Sequence, residues 1–123
     1  MPAYALENTA DRYRDADAPF LSARRVAEGF GLSLSDLSRL AGVARNTLTA
    51  KSGARRVDDA LSPLVRILAM ATEMTGDDSR TAVWFKHQPL PGYAGQTARD
   101  LVAEGKGEAV LRYLEAVRQG VYA

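Results

Sequence analysis

Apolar side chains recur at helical spacing from one end of the chain to the other, and polar caps and glycines divide that pattern into segments. Val26 and Phe30 lie one turn apart in a stretch opened by Ser22 as N-cap and closed by Gly31, which predicts a helix from Ala23 to Phe30. Leu37, Leu40 and Ala41 mark the buried face of a second helix, whose start carries the capping-box spacing Ser33-Leu-Ser-Asp36. Gly42 breaks this helix, Val43 seats the turn, and Leu48 anchors a third helix that begins near Ala44 and ends at Ser52-Gly53. Ala44 stands where serine or threonine is usual, so this third helix is expected to fray more readily than its neighbours.

Ser62-Pro63 reads as another helix start, with serine as cap and proline at the first helical position. Beyond it Leu64, Val65, Leu68 and Ala71 form one apolar stripe, and Ile67, Met70 and Met74 form a second. A helix apolar on two sides is either central to the core or shared between subunits, and the pattern leaves both open. Gly76 closes it, and Asp78 is expected to cap a helix carrying Val83, Trp84 and Phe85, adjacent aromatics that read as core filling. Gln88 to Gln96, with Pro89, Pro91, Gly92 and Gly95, reads as a rigid loop. Thr97-Ala-Arg-Asp100 repeats the capping box, and a last helix from Gly107 to Gln119 carries Val110, Tyr113, Leu114 and Val117 on one face. The expected fold is all-α: a tail or loosely docked segment over 1–19, a helix-turn-helix region over 20–60, and a small helical domain over 61–123.

The turn at Gly42 gives the first of those regions a specific expectation. A glycine in the left-handed conformation stops one helix and lets the next leave at a steep angle, as in DNA-binding helix-turn-helix units. The outward face of the third helix would then carry Arg45, Asn46, Thr49 and Lys51, with Arg55 and Arg56 in a following loop placed to meet a backbone phosphate. Charge supports this: five basic residues and no acidic one lie between Leu37 and Val57, so with a net charge of +1 the remainder carries −4. Only charges close to phosphates release counterions, so a local basic patch on an acidic body is what one DNA site needs.

Composition narrows the rest. The 123 residues are 46% hydrophobic and 25% charged, as in ordinary globular domains. A chain of that length buries roughly two-thirds of its unfolded surface, enough for a core without staples. Cysteine is absent, which excludes disulfides and thiolate metal sites and makes a cytoplasmic home the expectation. No membrane span or signal peptide is read. His87 is the one histidine and has no partner for a metal site, while Gly105-Lys-Gly107 lacks the third glycine and the strand of a dinucleotide loop. No catalytic role, cofactor or metal is expected.

The end of the chain is unusual in being apolar. Gly120 releases Val121, Tyr122 and the carboxylate of Ala123, which either fold back over the last helix or insert into a partner's pocket with the tyrosine as anchor.

Taken in order, Trp84-Phe85, the Pro89 to Gly95 loop, Gln-Thr-Ala-Arg-Asp-Leu-Val, Gly105 and the ending Val-Arg-Gln-Gly-Val-Tyr-Ala resemble the toxin-binding domain of Xre/MbcA/ParS-type antitoxins. The preceding helix-turn-helix is similar to the Xre-like N-terminal region of those proteins, so the resemblance spans Phe20 to Ala123. Ala98 stands where the family often has proline, and Lys51 where it often has an aromatic. The resemblance implies an antitoxin that neutralises a RES-domain toxin acting on NAD+ by degradation or ADP-ribosyl transfer. It implies that the C-terminal end blocks the toxin's active-site entrance, which on this chain assigns Gly120, Val121, Tyr122 and Ala123, with Arg118 and Gln119 as supporting contacts. It further implies repression of the antitoxin's own operon through Arg45, Asn46, Thr47, Thr49 and the nearby basic residues. The helix apolar on two sides makes a homodimer within a larger complex the expectation. From residues alone, a stand-alone helix-turn-helix regulator and a helical adaptor without DNA contact remain open.

Overall fold

The computed structural model describes residues 11–15, 19–50 and 54–121. Among these the chain forms seven helices: α1 (Ala23–Phe30), α2 (Leu34–Ala41), α3 (Arg45–Thr49), α4 (Ala54–Thr75), α5 (Asp78–His87), α6 (Ala98–Ala103) and α7 (Gly107–Arg118). The described residues contain isolated bridges but no strand, so the all-α expectation holds.

Most helix starts follow the local chemistry. The Ser22 and Ser33 hydroxyls accept the backbone N–H of Arg25 at 3.3 Å and of Asp36 at 3.0 Å. Thr97 and Asp100 form a reciprocal capping box, each side chain accepting the other's N–H at 3.1 and 3.0 Å. The cap of α5 lies one residue earlier than its sequence suggests: Asp77 accepts the Arg80 N–H at 2.7 Å. Asp78 falls in the first turn, where its carboxylate takes the Arg12 guanidinium at 2.6 Å.

Helix α4 departs from the sequence reading. Ser62-Pro63 does not start it; the helix already runs from Ala54, with Pro63 in its interior. An interior proline removes one backbone hydrogen bond and costs about 3 kcal/mol relative to alanine. That cost is offset by Val57 and Leu61, which are buried on the same side as Leu64, Val65 and Leu68 and would lose their burial if the helix began later. The Ser62 hydroxyl, instead of capping, donates to the Asp58 carbonyl one turn back at 2.8 Å. Two corrections follow: Arg55 and Arg56 belong to the first turn of α4 rather than to a loop, and the boundary drawn between residues 60 and 61 falls inside one helix.

The same helix is the axis of the core. It packs against α1, α2, α3, α5 and α7, so Ile67 and Met70 of its second stripe are buried as well as the first, with Met74 half-buried. Central burial within one chain accounts for both stripes. Phe30 and Phe85 are fully buried with ring centroids 4.3 Å apart, tying α1 to α5. Trp84 is buried against Tyr113, their near-parallel rings 6.4 Å apart, so the aromatic pair fills the core as expected.

At the N-terminal side, residues 11–15 are firmly docked rather than loosely attached. Tyr13 is 5% exposed, its carbonyl accepts the Ser22 N–H at 2.6 Å, and Asp15 pairs with Arg25 at 2.9 Å. Tyr13 fits because residue 29 is glycine: a Cβ there would stand 2.9 Å from the tyrosine ring. Burial pushes the Tyr13 hydroxyl pKa up, Arg12 lowers it, and Asp78 adds to the rise. Apart from Pro19, the rest of the expected tail over 1–19 lies outside the described residues.

Candidate functional site

Two surfaces gather the residues singled out from sequence, one at each end of α4. The first is built by the α2 to α3 turn. Gly42 takes the left-handed conformation at φ 68°, which a side chain would strain, and the chain leaves it through buried Val43 into α3. Leu48 is buried beneath α3 and holds it against α1, α2 and α4. Helix α3 is only five residues long, shorter than the segment to Ser52-Gly53 expected from sequence, and its N-cap Ala44 makes no side-chain hydrogen bond.

Because Leu48 fixes the inner face, the outer face presents Arg45, Asn46 and Thr49 to solvent, with Thr47 half-buried. Arg55 and Arg56 project from the first turn of α4 and are exposed. None of these three arginines forms an ion pair with a described carboxylate, unlike Arg12, Arg25, Arg80, Arg99 and Arg118, which all do. Arg39 of the same basic stretch is engaged by Asp36 at 3.5 Å. Lys51 lies outside the described residues.

The second surface is the C-terminal end of α7. The Gly120 N–H donates to the Val117 carbonyl and the Val121 N–H to the Ala116 carbonyl, both at 2.9 Å, with Gly120 left-handed at φ 85°. This is a Schellman stop, which turns the chain off the helix axis. Val121 does not fold back over α7, since it remains 66% exposed. Among the described residues, Val83 and Val121 are the large hydrophobic side chains left strongly exposed. Tyr122 and Ala123 lie outside the described residues.

Sequence reading missed a partner here. Arg118 closes α7 and is held by Glu73 of α4 at 2.7 Å and by Glu115 at 3.2 Å, while Gln119 donates to the other Glu115 oxygen at 3.3 Å. Glu73 and Arg118 stand 45 residues apart, so no local pattern joins them. Below them Met70, Met74, Leu114 and Val117 line a shallow cleft between α4 and α7. Arg55 and Glu73 are 18 residues apart along α4, so at ~1.5 Å per residue the two surfaces are separated by roughly 27 Å of helix.

His87 is exposed at the end of α5. No group of three or more His, Cys, Asp or Glu among the described residues is placed to hold a metal ion, and no described helix is long and apolar enough to cross a membrane.

Residues 70–120 match the family model of the antitoxin Xre/MbcA/ParS C-terminal toxin-binding domain. That range runs from the second half of α4 to the glycine that stops α7, and it excludes the helix-turn-helix. No curated protein and no solved structure matches the chain.

Proposed function

We propose that this chain, an antitoxin of the Xre/MbcA/ParS type whose toxin-binding domain is formed by residues 70–120, neutralises a RES-domain toxin by seating its C-terminal end in the entrance to the toxin's NAD+ site. The observation that carries this reading is the Schellman stop at Gly120, which delivers an apolar side chain, Val121, to solvent at the edge of a toxin-binding domain. An exposed aliphatic anchor followed in sequence by an aromatic suits a pocket built for a ring-bearing substrate. Inhibition is then occlusion, and the antitoxin itself need perform no chemistry.

The test is a titration of purified toxin, encoded beside this chain, with NAD+ consumption as the readout. Turnover should fall in proportion to antitoxin added, and because plug and NAD+ exclude one another, more antitoxin should be needed for the same inhibition as NAD+ is raised well above the level that saturates the free toxin. An active toxin that ignores a stoichiometric excess of this chain would exclude the reading.

The other end of α4 serves the operator in the same proposal. Arg45 and Asn46 are exposed at the start of α3, where side chains of a recognition helix reach base edges, and Arg55 and Arg56 extend the basic face toward the phosphates. Replacing Arg45 or Asn46 by alanine should cost about 1–3 kcal/mol of operator affinity if the side chain reads a base. Arg55→Ala should instead weaken binding to all sequences and lower the salt slope by about one. Salt-dependent binding to the promoter fragment measures all three, and no change in any of them removes α3 as a recognition helix. A homodimer would further require a two-fold operator with half-sites about one helical turn apart.

A further inference from the structure

We propose that Arg118 acts as a positioning residue rather than a toxin contact: with Glu73 and Glu115 it sets the direction in which the chain end leaves α7. This rests on the C-terminal plug proposed above.

The geometry leaves Arg118 little to offer a partner. One guanidinium nitrogen lies 2.7 Å from Glu73 Oε2 and another 3.2 Å from Glu115 Oε2, and the side chain is 23% exposed. Both ends of a planar, always-charged fork are thus taken by carboxylates of its own chain. Glu73 belongs to the central helix and Glu115 to the helix that Arg118 terminates, so the cluster ties the last turn of α7 to the most firmly held element of the fold.

The backbone of the same turn is fixed independently, by the hydrogen bonds of Gly120 to Val117 and of Val121 to Ala116. Side-chain constraints at Arg118 and backbone constraints at Gly120 and Val121 therefore act together within the turn that leads to the exposed Val121. A segment held in its exit direction before binding loses less freedom when it inserts. Glu73 is half-exposed, so the pair should contribute little to overall stability, and its effect is on direction rather than on strength.

The experiment measures toxin affinity for the full chain, for Glu73→Gln, for Arg118→Gln, for both together, and for each background lacking residues 120–123. Glu73→Gln and Arg118→Gln should each weaken binding about 5- to 20-fold with nearly unchanged melting, and the double variant should be no worse than either single one. In chains lacking residues 120–123, Glu73→Gln should have no further effect, because nothing is left to aim. Exchanging the charges, with Glu73→Arg and Arg118→Glu combined, should recover part of the lost affinity, since the pair again bridges α4 and α7 while Glu115 then stands one turn from a like charge.

If Arg118→Gln weakens binding while Glu73→Gln leaves it unchanged or tightens it, Arg118 touches the toxin and the positioning role is wrong. Additive losses, or losses that persist in the shortened chains, overturn it equally. If shortening the chain leaves affinity intact, the plug itself fails, a result separable from failure of the positioning role alone.

Discussion

Removing residues 120–123 should leave a folded, α-helical protein that no longer protects cells from the toxin. Gly120 and Val121 are exposed, and the hydrogen bonds they make close only the last turn of α7, so the deletion should cost about 1 kcal/mol of stability or less. The binding loss should be far larger, because a buried anchor at the centre of an interface contributes about 2–4 kcal/mol and the whole inserted segment goes at once. A loss of roughly 4 kcal/mol, about a thousand-fold in Kd, would convert a stoichiometric inhibitor into an ineffective one. Growth of cells co-expressing the toxin, with circular dichroism of the shortened protein, reads both halves of the expectation. Normal growth beside a demonstrably active toxin would show that inhibition works through another surface.

The second large effect concerns Phe85. Its ring is fully buried and lies 4.3 Å from that of Phe30, so Phe85→Ala opens a cavity between the element that supports the helix-turn-helix and the domain that binds the toxin. Such truncations cost about 3–5 kcal/mol, against a total of about 5–15 kcal/mol for a domain of this size. The melting temperature should fall by roughly 10–20 °C. More telling is the shape of the transition: α4 is shared by both regions, so operator binding and toxin binding should be lost in one cooperative step. Two separate transitions, with one activity surviving the other, would show that the regions fold independently.

The helices bounded by strong local signals were legible in the sequence. Ser22, Ser33 and Thr97 cap the helices that their positions suggest, and Gly31, Gly42 and Gly120 stop theirs, because these effects act within one turn of backbone. Local signals mislead where distant packing overrides a local preference. Ser62-Pro63 is a valid start signal in isolation, yet Val57, Leu61, Leu64 and Leu68 keep helical spacing straight across it, and their burial outweighs the proline. The docking of Tyr13 was hidden for a similar reason, since the space it fills is created by a glycine on another helix.

The candidate surfaces divide in the same way. The exposure of Arg45, Asn46 and Thr49 follows from the burial of Leu48 on so short a helix, and the spacing alone foretold it. The ion pair that holds Arg118 joins residues 45 positions apart, and sequence could identify the arginine but not its partner.

That α4 runs unbroken from Arg55 to Glu73 makes it something like a camshaft between the two ends of the molecule. Each residue gained or lost along it would advance one end by ~1.5 Å and rotate it by ~100° relative to the other. Hybrids that join the α3 end of one such chain to the toxin-binding domain of another therefore have to be joined in phase, at whole turns, or the α3 face will be presented at the wrong angle to whatever the far end is holding.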